Sequence, residues 1–217
     1  MDTPQAMDGR YDSDYFLRGK ETGKSLYENY RWLPNLTVPM AETITDFCGI
    51  ELEDVIMDFG CARGYLVRAL VSLGYDAYGV DVSEWALQNA DPQVLGRLSH
   101  QWPPAGHVDW IIAKDVLEHI AIHRITNLLK EMAEVATKGI FAVVPLAKGV
   151  GQRYAVEEYE ADVTHSLRWP LDLWTREFID VLGPEWEVSV RYRIQGVKDN
   201  YAEWPKGNGF ITCKRIT

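Results

Sequence analysis

The stretch VIMDFGCARGYLVRAL, residues 55–70, decides the fold. It opens with an apolar run, reaches an acid at Asp58, breaks at Gly60 and Gly64, and continues with leucines at helical spacing. A short apolar run that ends at a glycine turn is typical of a buried strand. The spacing of the leucines predicts a helix on the far side of the turn. We therefore expect a strand, a tight turn and a helix here.

Strand and helix patterns continue to alternate after this stretch. The first predicted helix ends at Gly74, and a later one, ITNLLKEMAEVATKG, ends at Gly139, because glycine commonly follows a helix. Apolar strands that alternate with helices favour a parallel sheet covered on both faces. Farther along, residues 186–196 and 209–216 read as two strands with no helix between them. They predict an antiparallel pair at a sheet edge.

The glycine turn excludes two common ligand sites. A phosphate loop of the ATPase type requires GxxxxGK[ST], and no lysine follows Gly64. A dinucleotide fingerprint requires GxGxxG, whereas Ala62 and Tyr65 occupy two of the positions involved. The acid before the turn would repel a pyrophosphate, but it can pair with an ammonium group. With Asp81 at the next strand end able to accept ribose hydroxyls, the acids favour a cationic nucleoside without phosphate.

At this point the chain resembles the class I S-adenosylmethionine (SAM)-dependent methyltransferases. MDFGCARG, residues 57–64, is similar to their first motif, D/E-x-G-x-G-x-G, with Ala62 where glycine is usual. YGVDVSEWAL (78–87) resembles the second-strand motif, and VDWIIAKDVLEHI (108–120) resembles the fourth-strand motif. HSLRWPLDLWTREFIDVL (165–182) resembles the segment that helps to form the acceptor pocket.

The resemblance implies an α/β, Rossmann-like fold. Its seven-stranded, mostly parallel sheet would have the order 3-2-1-4-5-7-6, with the last strand antiparallel and helices on both faces. The glycine turn would wrap the amino-acid part of SAM, Asp81 would hold the ribose, and Ser99 or His100 would lie near the adenine. The residues that it assigns to the cofactor are Asp58, Gly60, Cys61, Ala62, Gly64, Asp81, Val82, Asp115 and Val116.

The candidate catalytic residues follow the fourth strand and begin the acceptor segment. A hydroxyl or protonated amine acceptor needs a base, and we assign that role to His119 or His165, with Glu118 behind them. A structural alternative, in which His119 caps the next helix, stays open. With Asp115 the three also resemble the metal tetrad of small-RNA terminal 2′-O-methyltransferases. Because the chain is acidic and shows no RNA-binding extension, we expect no metal.

Length, charge and cysteine content limit the remaining possibilities. The chain has 217 residues and a net charge of −10, which favours one main domain and disfavours nucleic acid as a partner. It has no apolar run long enough for a membrane span and no signal-peptide pattern. Three cysteines without a CxxC pair indicate a reducing compartment. We expect a cytoplasmic monomer or homodimer.

The N-terminal region differs from the rest, because residues 1–38 mix aromatic and charged side chains without a clear period. We interpret them as a lid or strap, and residues 39–217 as the methyltransferase domain. The expected activity is methyl transfer from SAM to an oxygen or nitrogen of a small-molecule acceptor. The alternatives are a metal-assisted RNA 2′-O-methyltransferase, a non-catalytic SAM-binding module and a nucleotide-dependent dehydrogenase.

Overall fold

A computed structural model describes residues 9–216, which form a seven-stranded sheet. Its strands are β1 (Val55–Phe59), β2 (Asp76–Val80), β3 (Leu98–Ser99), β4 (Val108–Lys114), β5 (Ala136–Pro145), β6 (Trp186–Arg191) and β7 (Asn208–Arg215). Their order is β3-β2-β1-β4-β5-β7-β6. The first five strands run parallel, and β7 is antiparallel to both β5 and β6. The predicted order and direction of the strands are confirmed.

Helices cover both faces of the sheet, as predicted. They are α1 (Ser13–Leu17), α2 (Gly19–Thr22), α3 (Pro34–Cys48), α4 (Tyr65–Ser72), α5 (Glu84–Gln88), α6 (Ile125–Val135) and α7 (Leu171–Leu182). Alternate residues of β4 enter two separate cores: Ile111 packs with α6 and α7, while Trp110 and Ile112 pack with α3 and α4. None of the helices in residues 9–216 is both long and apolar enough to cross a bilayer.

The predicted end of α6 at Gly139 is wrong, because the helix ends at Val135 and β5 begins at the next residue. Gly139 lies within β5, directly opposite Trp110 of β4. A Cβ atom added to Gly139 would overlap the Trp110 indole ring. The glycine therefore makes room for a cross-strand tryptophan and does not terminate the helix.

The predicted domain boundary at residue 38 falls inside α3. Pro39 lies within this helix and removes one backbone hydrogen bond. Burial of Ala41, Ile44 and Cys48 against the α4 core holds the helix together despite the proline. The segment that precedes the sheet domain thus ends near residue 33. We call residues 9–33 the N-terminal strap; residues 1–8 of the predicted lid lie outside the described part.

Candidate active site

The turns that follow β1 and β2 are tied together by one carboxylate. Oδ2 of Asp81 accepts a hydrogen bond from the amide of Ala62 at 2.7 Å, and Oδ1 accepts one from the amide of Ser83 at 2.7 Å. Ser83 also caps α5, because its hydroxyl accepts a hydrogen bond from the amide of Ala86. The side chain of Asp81 is therefore held at the carboxyl edge of the sheet, where ligands of open α/β sheets bind.

Close packing in the first turn requires its glycine. Gly60 has φ +80°, and a Cβ atom there would lie 2.5 Å from Cγ2 of Val116 at the end of β4. Ala62 also has a positive φ, +48°, a conformation that favours glycine. The turn thus keeps the left-handed backbone of a glycine-rich motif although it carries an alanine. This geometry leaves the backbone of the turn open toward the adjoining cavity.

A cavity of about 770 Å³ lies beyond the ends of β1, β2 and β4. Among the residues predicted to bind the cofactor, those on its wall are Gly60, Ala62, Asp81, Val82, Asp115 and Val116. In the described part of the chain, Asp58, Cys61 and Gly64 lie behind the wall. Asp58 and Cys61 are buried, while Gly64 precedes α4 and packs against Leu98.

Sequence reasoning missed several aromatic and basic residues of the cavity wall. Trp102 follows β3, where the sequence offers no acid, and its ring meets Phe59 edge-on at 4.8 Å between centroids. His100 was not missed, since the resemblance placed it or Ser99 near the adenine; it lines the same wall, with Nδ1 3.0 Å from the carbonyl oxygen of Asp81. Arg124 and His123, from the segment that leads into α6, line it as well. The sequence RLSHQWPP could have indicated an aromatic wall, whereas Arg124 carries no local signal.

The two acids of the strand ends form an anionic half of the site. Burial, together with the negative charge of Asp81, raises the pKa of Asp58 to about 7, although Lys114 opposes the shift. Burial also raises the pKa of Asp81, against the hydrogen bonds that its carboxylate accepts. A ligand with a positive charge would relieve both carboxylates, whereas a pyrophosphate would be repelled. The residues present therefore fit SAM, which carries an ammonium and a sulfonium.

Asp115 has a different electrostatic environment. It has φ +56°, and its carboxylate pairs with Lys114 at 2.5 Å and with Lys198 at 2.6 Å. Burial opposes ionisation of Asp115, but the two ammonium groups outweigh it and hold its pKa well below the usual range. Asp115 is thus an ionised acid whose charge is already balanced. It lines the cavity but contributes little to the excess negative charge there.

The predicted catalytic residues lie together, although only His119 reaches the cavity wall within the described residues. Its Nδ1 lies 2.8 Å from Oγ1 of Thr164, which directly precedes the predicted acceptor segment, and Arg124 rather than His119 is the cap residue of α6. Burial and the neighbouring His165 lower the pKa of His119 to about 4. Burial and the charge of Asp115 raise the pKa of Glu118 well above its usual range. Burial therefore disfavours the charged form of both side chains.

Glu118, His119 and His165 also have the spacing of metal ligands. One donor atom from each lies within 4.8 Å of the others. Oε2 of Glu118 and Nδ1 of His165 are buried without a hydrogen-bond partner in the described structure. Asp115, the fourth residue of the tetrad considered from the sequence, is instead engaged by two lysines. The expectation that no metal binds here stays a prediction.

The N-terminal strap contributes four aromatic side chains to the wall of the cavity. Tyr11, Tyr15, Phe16 and Tyr27 line it, and Phe16 stacks on Trp85 of α5 at 5.4 Å. The strap forms hydrogen bonds both with the turn after β2 and with the loop that contacts His119. Its Tyr11 carbonyl accepts a hydrogen bond from the Ser83 hydroxyl at 2.6 Å, and its Tyr15 hydroxyl donates one to Asp162 at 2.8 Å.

Comparison with known proteins agrees with this geometry. The family model described as a methyltransferase domain matches residues 34–180. None of the curated proteins matches the chain. Among solved structures, a SAM-dependent methyltransferase from Archaeoglobus fulgidus has a TM-score of 0.63 at 13% identity, covering 84% of this chain and 95% of that one.

Two further solved structures were crystallised with S-adenosylhomocysteine. Magnesium protoporphyrin IX methyltransferase from Synechocystis has a TM-score of 0.60 at 14% identity, covering 82% of this chain and 83% of its own. A plantazolicin methyltransferase has a TM-score of 0.60 at 15% identity, with 85% and 84% covered. At these identities the likeness concerns the fold.

Replacing Asp81 tests the predicted ribose contact. Asp81→Ala should weaken SAM binding by about tenfold to a hundredfold, because it removes a charged hydrogen-bond acceptor from the wall. Isothermal titration calorimetry with SAM measures the change, and circular dichroism checks that the variant folds. Asp76→Ala, at the opposite end of β2, is the matched control. Unchanged affinity in Asp81→Ala would remove this residue from the binding site.

The pKa of Asp58 predicts that SAM binding depends on pH. Since this pKa is raised to about 7 and a cation favours the ionised form, affinity should fall as the pH drops below that value. The loss should approach about tenfold per pH unit. Calorimetry in buffers of different ionisation enthalpy should show proton release on binding near neutral pH. Asp58→Asn should flatten the profile, and a flat wild-type profile would contradict the prediction.

Proposed function

Since the chain belongs to the class I SAM-dependent methyltransferases, we propose that it transfers the methyl group to an oxygen or a nitrogen of a small-molecule acceptor. The observation that carries this proposal is the position of His119. It lines the same cavity as Gly60 and Asp81, and burial disfavours its charged form. A neutral imidazole beside the cofactor turn can accept the proton that such an acceptor must lose.

The size and cover of the cavity support a small acceptor. Its volume of about 770 Å³ lies within the range of small-molecule sites, roughly 300–1,000 Å³. Aromatic side chains of the N-terminal strap close its outer side. An apolar, covered site of this kind suits an organic molecule with a flat or hydrophobic part. The chain's net charge of −10 disfavours a polyanionic acceptor.

The residues of the anionic half would bind SAM, and His119 would act on the acceptor. SAM supplies a methyl group that is already activated by the sulfonium. In our proposal the Asp81 carboxylate holds the ribose, while Asp58 offsets the positive charge from behind the turn. His119 then takes the proton of the acceptor, so that positioning and proton removal account for the acceleration.

The low basicity of His119 narrows the choice of acceptor. Because burial and His165 lower its pKa to about 4, its imidazole is neutral at physiological pH but is a weak base. A phenol or an enol, which loses its proton readily, requires less help than an aliphatic alcohol. A neutral amine also suits it, because the proton leaves after the new bond has formed. We therefore propose a phenolic, enolic or amine acceptor.

The N-terminal strap has a proposed role as the lid of this site. It contacts Ser83, in the turn that follows β2, and Asp162, which lies just before the predicted acceptor segment. Exclusion of water by such a cover would strengthen the charge interactions in the anionic half. In place of the predicted boundary at residue 38, we propose that residues 9–33 form the lid. The methyltransferase domain then begins near Pro34, the first residue of α3.

A turnover screen with His119→Gln tests the proposed base. Release of S-adenosylhomocysteine should be detected with one or more phenols, enols or amines in a panel that includes aliphatic alcohols. With that acceptor, His119→Gln should lower kcat by roughly 10²- to 10⁴-fold, the usual contribution of a general base. SAM affinity should not change. His107→Gln, in the exposed β3–β4 connection, is the control, and normal turnover in His119→Gln would contradict the assignment.

Metal-assisted methylation of an RNA 2′-hydroxyl is the second candidate function. The three donor atoms of Glu118, His119 and His165 favour it, and the two unpartnered atoms among these side chains could bind an ion. The ion pairs of Asp115 with Lys114 and Lys198 disfavour this function, because Asp115 would have to break both pairs in order to bind the metal as the fourth ligand. The acidic balance of the chain also disfavours RNA.

Removal of divalent ions separates the two candidates. We expect exhaustive dialysis against a chelator to leave both turnover and SAM affinity unchanged, because proton transfer to His119 needs no ion. Elemental analysis of the purified protein provides the control for residual metal. Turnover that disappears on chelation and returns with magnesium, manganese or zinc would support the second candidate instead.

A further inference from the structure

A chain of hydrogen bonds links His119 to Asp162, a buried acid that lies just before the predicted acceptor segment. The Thr164 hydroxyl lies 2.8 Å from Nδ1 of His119 and 2.5 Å from Oδ1 of Asp162. The Thr164 amide donates to the same oxygen of Asp162 at 2.9 Å. Asp162 is 5% exposed and Thr164 is 3% exposed, so water does not compete for these bonds. None of these contacts is explained by binding of SAM.

The direction of these bonds follows from the chemistry of the three groups. An ionised carboxylate only accepts, so the Thr164 hydroxyl must donate its single proton to Asp162. Only lone pairs of the Thr164 oxygen then remain for His119. Nδ1 of the imidazole must therefore carry a proton and donate it to Thr164. In a neutral ring this leaves the lone pair on Nε2.

We infer that Asp162 and Thr164 are positioning residues that fix His119 in the Nδ1–H tautomer and so leave Nε2 as the basic nitrogen. This inference rests on the proposed function of His119 as the base. In the reaction, the O–H or N–H bond of the acceptor breaks, its proton joins Nε2, and its electron pair stays on the acceptor atom. That atom forms the new bond to the methyl carbon, while the methyl–sulfur bond breaks and its electron pair stays on sulfur. Nδ1 keeps its own proton, and Asp162 stays ionised throughout.

The same arrangement stabilises the protonated ring. An imidazolium donates from both nitrogens, so its Nδ1–H bond to Thr164 persists after proton transfer. The negative charge of Asp162 favours the positive ring, in opposition to burial and His165. Tyr15 of the strap donates to the other oxygen of Asp162 at 2.8 Å, which holds the acid in place. The strap thereby contributes to the orientation of the base as well as to the cover of the site.

Substitution of Thr164 provides a matched pair of variants. Thr164→Val keeps the shape of the side chain but removes the hydroxyl, whereas Thr164→Ser keeps the hydroxyl. Long-range ¹H–¹⁵N correlation spectra of the full chain distinguish the two tautomers, and His119→Gln identifies the signals of this residue. Wild type and Thr164→Ser should show a protonated Nδ1. In Thr164→Val the ratio of the tautomers should shift by about tenfold or more toward Nε2–H.

The outcomes separate this inference from the proposed function. Calorimetry with SAM should give the same affinity for both variants as for wild type, which shows that the site is folded. Nε2–H as the main tautomer of wild type, or an unchanged ratio in Thr164→Val, would overturn the inference. A protonated Nδ1 combined with normal turnover of His119→Gln would support the tautomer assignment but refute the base. Reduced turnover of His119→Gln with Nε2–H in wild type would refute only the tautomer.

Discussion

The structure depends on the parallel pairing of β1 with β2, because this pairing places two acids at one edge of the sheet. Asp58 pairs in register with Gly79, and Asp81 follows β2 directly. Two buried carboxylates beside each other are costly unless a positive charge joins them. The turns around them are built to keep the acids there: Asp81 is held by backbone amides, and Gly60 lets Val116 approach closely. A site for a cation follows from the topology itself.

The site has two parts that differ in their electrostatic charge. The part around Asp58 and Asp81 is short of positive charge and suits a sulfonium. The part around His119 consists of groups that burial keeps neutral, and the neighbouring Asp115 is balanced by two lysines. As a methyl group leaves the sulfonium, positive charge disappears from the first part. If His119 takes the acceptor's proton, as proposed, an equivalent charge enters the second part, where Asp162 lies near the imidazole. Net charge within the cavity thus changes little.

Local patterns predicted the sheet but not the contacts that complete the site. The alternation of apolar strands with helices, and the acids at strand ends, depend on neighbours in sequence and could be predicted. Gly139 was misinterpreted as a helix end because the contact that requires a glycine there is made on the neighbouring strand, by the ring of Trp110. The link from His119 to Thr164 joins residues 45 positions apart, and no spacing rule predicts it. Lys198 and its partner Asp115 are separated by an even longer stretch of sequence.

The position of β7 has a consequence for synthesis on the ribosome. In the order of the sheet, β6 has β7 as its only neighbour, although β6 is made first. The strands from β1 to β5 can pair as they emerge, but β6 has to wait until β7 enters between it and β5. The connection between them carries Lys198, which pairs with Asp115 in the folded protein. A nascent chain paused before β7 would hold most of the cofactor half while its acceptor half was still unfinished.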